Sequence, residues 1–411
     1  MNIVVPFLWK GRGESLALIT SRAKHPPDYA SRYGSPGNFH LDPQEEEIIM
    51  ASDIVSILKR LAEAPGPPGQ EQKIKEIIIQ ELKPYCNGLR EDPLGNLIAR
   101  VGPEEGYKVG ILAHMDEVGL IVTKISENGL MGFELVGIID PRCLLGCLVN
   151  VLTSSGRLIP GVIGNKSRHL QTEEELRAQV SHRSLWIDIG ARSREEVWQQ
   201  GIEIGSGVVF ATPFHAYENG TILGKALDNR MSCAVLIEAL KSLRPKMKKT
   251  TVFGMFTIQE EIGAKGARVV AFQDRPEMTI TLDNVPTQNP NEVRPGDVDL
   301  NRGPVVRIFD WYPSLTFGMF THPLIKDRLL GVAAREGIRC QTDVLTSTYL
   351  DSSQVHLTAG GIPGGSICFP RRYSHSPVEM SHLNDLHQGL QLLVKFIESL
   401  EIEPIQFART Y

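Results

Sequence analysis

Two adjacent glutamates, Glu260 and Glu261, close the apolar run TTVFGMFTIQEE. Two carboxylates side by side at the carboxyl end of a buried strand repel unless a cation compensates them. The chemistry they suggest is a division of labour, one acid for a metal and one for a proton. Other candidates end apolar runs elsewhere: His114 and Asp116 in ILAHMDEVG, Asp228 in GKALDNR, Asp283 in TITLDNV and His375 in RRYSHSPVE. Singly, each has an ordinary explanation, such as a helix cap at Asp228 or turn chemistry at Asp283. Together, two histidines and several acids form the mixed nitrogen and oxygen donor set suited to zinc, cobalt or manganese.

His114, Asp228, Glu261, Asp283 and His375 serve as ligand candidates, which leaves Glu260 and Asp116 for other work. If one carboxylate bridges two metals, each ion receives three protein ligands and keeps room for water. That describes an open catalytic site rather than a closed structural one. Asp116 follows His114 at a spacing that lets it orient the imidazole.

These residues need a scaffold that gathers strand ends. Alternating strand and helix signals run through NLIARVG, KVGILAHMD, DNRMSCAVLIEALKSL, MTITLDN, GGSICF and LNDLHQGLQLLVKFIESL. They predict an α/β domain, with ligands at the carboxyl ends of its strands. Between Asp116 and Asp228 the texture changes to short alternating runs parted by Glu-Asn-Gly and Ser-Ser-Gly turns, the pattern of a compact all-β unit. The expected organisation is a catalytic domain over residues 50–117 and 216–411, interrupted by a β-rich dimerisation or lid domain over 118–215. Residues 1–49, rich in Gly, Pro, Ser, Arg and His, read as a flexible leader. After it, Ile54, Ile57, Leu58 and Leu61 share one helical face.

The formal charge of −5 offers no basic footprint for nucleic acid or an anionic membrane. No apolar run approaches the roughly 20 residues that span a bilayer. The six cysteines are scattered through apolar segments, and only Cys143 and Cys147 lie close together. Reduced thiols and a cytoplasmic location are the expectation.

HMDEVGLIV, GKALDNRMSCAVLIEAL, TIQEEIGAKGA, the strand ending at Asp283 and RRYSHSPVEM resemble the dinuclear metallo-aminopeptidases of the TET type. Relatives in that group are labelled glutamyl or deblocking aminopeptidase, and some endoglucanase. The resemblance spans residues 50 to 400 and implies a zinc-exopeptidase-like fold with a central mixed sheet and helices on both faces. It makes Asp228 the bridging carboxylate, gives Glu261 and His375 to one metal, and gives His114 and Asp283 to the other. Glu260 becomes the general base and Asp116 the residue that orients His114. It further implies two divalent ions, Zn2+ or Co2+, short peptide substrates, and a homo-oligomer of dimers assembling to a dodecamer. One departure falls on the substrate pocket. Where relatives carry Gly-Gly-Thr-Asp-Ala, this chain has Ser347, Thr348, Tyr349 and Leu350 before Asp351.

Two other classes compete. Paired carboxylates also equip endo-glucanase-type glycoside hydrolases, but that chemistry has no use for His114 or His375. It also usually needs a cleft with exposed aromatics, and aromatic content is only 7%. A noncatalytic metal-binding scaffold would hold the ions without hydrolysing any amide.

Overall fold

The computed structural model describes residues 54–288, 291–294 and 296–407. The expected leader over residues 1–49 lies outside them. In chain order, helix α1 (54–63) is followed by α2 (Gln72–Leu82) and strands β1 (Gly88–Glu91), β2 (Leu97–Val101) and β3 (Tyr107–His114). Then come β4 (Gly119–Ile125), β5 (Met131–Val136), β6 (Leu148–Leu152), β7 (Leu158–Gly164), α3 (Glu173–Arg177), β8 (Trp186–Asp188), α4 (Arg194–Gln199) and β9 (Gly207–Phe210). Strands β10 (His215–Ala216) and β11 (Thr221–Gly224) lead into α5 (Leu227–Leu243), β12 (Thr250–Thr257), α6 (Lys265–Asp274) and β13 (Met278–Pro286). The chain closes with β14 (Val305–Tyr312), β15 (Phe317–Phe320), α7 (Pro323–Glu336), β16 (Gln341–Thr346), α8 (Ser352–Val355), β17 (Gly364–Arg371), β18 (Glu379–His382) and α9 (Leu383–Ile402).

Nine strands form a mixed sheet in the order β1-β2-β12-β3-β13-β17-β14-β15, with β16 paired to β14. Its centre, β12-β3-β13-β17, is parallel throughout. Both faces of these strands are apolar, as burial on two sides requires. In β3, Val109, Ile111 and Ala113 join the core with α1, α2, α5, α7 and α9. Leu112, pointing the other way, joins a second core with Ala267, Val270 and Ala271 of α6. The sheet is therefore sandwiched between helices. Ile54, Ile57, Leu58 and Leu61 are all buried on the first face. Removing any one of these large side chains would forfeit burial worth about 1.5–3 kcal/mol.

Strands β4-β5-β8-β7-β6-β9 close into a barrel. Its core is separate, with Leu120, Val122, Phe133, Val149, Val151 and Val208 pointing inward. Closure leaves no unpaired edge. The chain thus leaves the sheet at the end of β3, builds the barrel, and returns before α5.

One glycine shows how tightly the segment carrying the glutamates is held. Gly266 opens α6, and a Cβ built there would lie 2.2 Å from Asn96 Oδ1 and 2.7 Å from the Ile258 carbonyl oxygen. Asn96 also accepts from Ile258 N and donates to the Gly266 carbonyl, clamping the end of β12 to α6. Gly266→Ala is expected to cost about 1–3 kcal/mol by overpacking. A lowered thermal midpoint in a calorimetric scan would show it.

Candidate metal centre

The parallel register explains how distant residues meet. His114 pairs across from Thr257 at the carboxyl ends of β3 and β12, and β13 pairs with β3 on the other side. His114 ends β3, Glu260 and Glu261 follow β12, Asp283 lies near the end of β13, and His375 follows β17. All five therefore emerge on one edge of the sheet. Asp228 arrives from the first turn of α5, where Asp228 and Asn229 depart from helical geometry. Asp228 is not a helix cap, because its carboxylate is turned toward the histidines instead.

Asp228 is central. Its Oδ1 lies 3.2 Å from His114 Nε2 and its Oδ2 lies 3.3 Å from His375 Nε2. His114 Nε2 is also 3.9 Å from both Asp283 Oδ1 and Glu260 Oε2, and His375 Nε2 is 3.6 Å from Glu261 Oε2. Three trios have donor atoms within 4.8 Å of one another: His114, Asp228 and Asp283; Asp228, Glu261 and His375; and His114, Glu260 and Glu261. Two tetrahedral ligands of one zinc ion are about 3.3 Å apart, given metal–ligand distances near 2.0–2.1 Å. The contacts of Asp228 match that spacing, and Glu261 Oε1 is buried without a partner. The donor set fits divalent cations.

Both imidazoles are oriented through Nδ1, leaving Nε2 for the site. His375 Nδ1 is 2.9 Å from the Ile138 carbonyl, which comes from the barrel's β5–β6 connection. His114 Nδ1 lies 3.2 Å from the Asp116 carbonyl oxygen and 3.5 Å from its carboxylate. Asp116 has a further task that the sequence does not reveal. Its two carboxylate oxygens accept the backbone N–H groups of Glu260 and Glu261, each at 3.0 Å. One buried carboxylate thus sets the positions of His114 and of both glutamates.

The charge balance is lopsided. Asp116, Asp228, Glu260, Glu261, Asp283, Asp351 and Glu379 are all buried in or beside the site, against Arg371 and the two histidines. Burial pushes Glu261 up to about 7 and Asp283 up to about 8, and the charge of Asp228 adds to both shifts. Burial likewise raises Glu260 well above the usual carboxylate range. Asp228 goes the other way. Its burial is outweighed by Arg371 and by hydrogen bonds from His114 and His375, which hold it well below that range. Burial would depress His114, yet Asp116 and Asp228, then the charges of Glu260 and Asp283, raise it well above the ordinary histidine value. The pattern is that of a cluster short of positive charge.

Sequence reasoning missed several supporting groups. Arg371 contacts Asp228 Oδ2 at 2.5 Å and also pairs with Glu379. Glu379 accepts the backbone N–H of Asp228 at 2.9 Å and that of His375 at 3.0 Å. Glu117 accepts from Lys225, Arg230 and the Gly66 N–H, tying the end of β3 to α5 and to the α1–α2 connection. Asn284 donates to Asp228 Oδ1 at 3.3 Å. Arg371, Glu379 and Glu117 all stand inside motifs already noticed, so their charge was the available signal. Backbone strain was not signalled. Ala226, Gln259 and His375 all have positive φ beside or at candidate site residues, although none is glycine.

A helix-flanked mixed sheet with an acid and histidine cluster at its parallel strand ends defines a zinc-exopeptidase-like metallohydrolase. The chain matches the M42 glutamyl aminopeptidase family over residues 95–392 and belongs to it. It is a metal-dependent aminopeptidase. A provisionally named aminopeptidase of Acetivibrio thermocellus is 35% identical over 84% of this chain and 98% of its own length. The aminopeptidase APDkam598 of Desulfurococcus kamchatkensis superposes with a TM-score of 0.80 at 31% identity, over 87% of this chain and 99% of that one. The TET1 peptidase of Pyrococcus horikoshii, which can assemble into a tetrahedron or a large octahedral shell, gives 0.74 at 33% identity. That match covers 83% of this chain and 98% of the other.

Proposed function

We propose that the cluster is a dinuclear centre in which Asp228 bridges, Glu261 and His375 complete one site, and His114 and Asp283 complete the other. The observation that carries this reading is the placement of Asp228, one carboxylate oxygen toward each histidine Nε2. Zn2+ and Co2+ suit these ligands best. Such ions, when bound, make water acidic and polarise the scissile carbonyl. Glu260 is the general base: its carboxylate takes the proton of the attacking water and returns it to the amine nitrogen as the amide C–N bond breaks. Asp116 holds the His114 ring and, through two backbone N–H groups, keeps Glu260 and Glu261 in register.

The substrates are short peptides with a free N-terminus, and the enzyme acts in the cytoplasm. Among the described residues no helix is long and apolar enough to cross a membrane. Residues 50–117 and 216–411 form the catalytic domain, and the barrel within 118–215 serves dimerisation. Dimers then assemble to a dodecamer, a reading supported by a TET1 relative whose structure is a dodecamer. Light scattering on the purified protein should give a mass about twelve times that of the chain, and a monomer would refute the cage.

A panel of aminoacyl p-nitroanilides, with EDTA and then with added zinc or cobalt, tests the chemistry. Turnover should vanish with the chelator and return with the metal. Amide hydrolysis that survives complete metal removal would refute the metal-dependent mechanism. Bound metal with no amide hydrolysis would leave only a scaffold.

A further inference from the structure

The cavity that holds the metal ligands extends past them, and its far wall has a distinct chemistry. It encloses about 340 Å³ and is lined beyond the ligands by Ile138, Pro286, Tyr312, Leu345, Tyr349 and Leu350. Tyr349 stands where the sequence departs from its relatives. Its hydroxyl donates to the Glu260 carbonyl oxygen at 3.2 Å. Its ring meets Phe317 edge-on at 5.2 Å and Tyr312 edge-on at 6.0 Å. With the hydroxyl committed and the ring wedged between two others, Tyr349 is a fixed wall rather than a mobile rim. Ile138 is brought in from the barrel by the bond between its carbonyl and His375 Nδ1.

The charged groups facing this cavity are all engaged. Glu260, Glu261, Asp228, Asp283, His114 and His375 belong to the metal centre proposed above. Arg371 is buried and paired with Asp228 and Glu379. The remaining polar lining is Asn284 and the hydroxyls of Tyr312, Thr346, Ser347, Thr348 and Ser374. A substrate side-chain carboxylate or ammonium placed against this far wall would lose water without meeting a counter-charge there. An apolar side chain would replace water against rings and aliphatic groups.

We infer that this cavity selects peptides whose N-terminal residue is large and uncharged, of the leucine, methionine or phenylalanine class, with Tyr349 and Leu345 as specificity-determining walls. The inference rests on the aminopeptidase reading. It departs from the glutamyl preference in the family's description.

The test is kcat/KM for leucyl, phenylalanyl, alanyl, glutamyl and lysyl p-nitroanilides on the metal-loaded full chain, with calorimetric binding of free leucine, glutamate and lysine as a second readout. Leucyl or phenylalanyl substrates should exceed glutamyl and lysyl ones by on the order of a hundredfold, and leucine should bind tightest of the three amino acids. Tyr349→Ala should reduce the leucyl-to-alanyl ratio about tenfold, a ratio that a general loss of turnover would not move. Leu345→Arg should raise the glutamyl-to-leucyl ratio. A glutamyl preference in the unmodified enzyme would make Arg371 an anion clamp and overturn the inference, as would a lysyl preference; either would leave the peptidase intact. No turnover on any substrate would instead overturn the peptidase reading, and this inference with it.

Discussion

Glu260→Gln is expected to keep its metal and lose turnover by about 10²–10⁴-fold, the range that a positioned general base supplies. The substitution is nearly isosteric, and the backbone at this position is held independently of the side chain by Asp116 Oδ1. The amide cannot take a proton from water, so the loss should appear in kcat with little change in KM. Elemental analysis separates this role from that of a ligand. The neighbour provides the contrast: Glu261→Gln replaces a charged carboxylate that faces His375 Nε2 at 3.6 Å by a neutral amide, so it should lose metal as well as activity. The competing arrangement is visible in the structure, because His114, Glu260 and Glu261 also form a compact trio. If Glu260→Gln lost a metal while Glu261→Gln stayed fully loaded and inactive, the two roles would have to be exchanged.

Much of this site was legible because its residues interrupt apolar strands. A charged side chain at the end of a run such as TTVFGMFTI stands out against a buried sheet. The all-β character of β4 to β9 was legible for a related reason, since alternation and turn signals persist through them, whereas their closure into a barrel was not. What stayed hidden depends on contacts between distant segments. Nothing local to Asp116 says that β12 will pair in parallel with β3, yet only that pairing brings the Glu260 and Glu261 N–H groups to its carboxylate. Glu379 is hidden similarly: its bond to the Asp228 N–H requires β18 to lie beside β11, just ahead of Asp228.

Strands β14 to β16 escaped notice because their pattern is mixed. Strand β16 alternates half-buried and exposed residues, with Asp343 turned toward a buried Arg307. A polar residue on the inward side breaks the hydrophobic period that sequence reading relies on. The cluster of aromatics around Tyr349 was therefore missed as well, although its departure from the family pattern was evident.

Asp228→Asn should be the most damaging change to metal content. If Asp228 bridges, its loss weakens both sites at once, whereas His375→Ala or Asp283→Asn should each empty mainly one. Substitutions at residues that only orient ligands typically cost 10–100-fold in metal affinity, so a bridging ligand should cost at least about a hundredfold. The local geometry makes the amide a poor replacement. Oδ1 faces His114 Nε2 and Asn284 Nδ2, while Oδ2 faces His375 Nε2 and Arg371. Whichever way an asparagine turned, its NH2 would confront the Asn284 amide or the Arg371 guanidinium, both donors. Metal that binds only the folded state also stabilises it, so the thermal midpoint measured with excess zinc should fall toward that of the chelated wild type. Metal content from elemental analysis, titrated against zinc, decides the question. A variant that loses one ion per chain and retains the other would show that Asp228 serves a single site, and the bridge would have to be sought in Glu261 or Asp283.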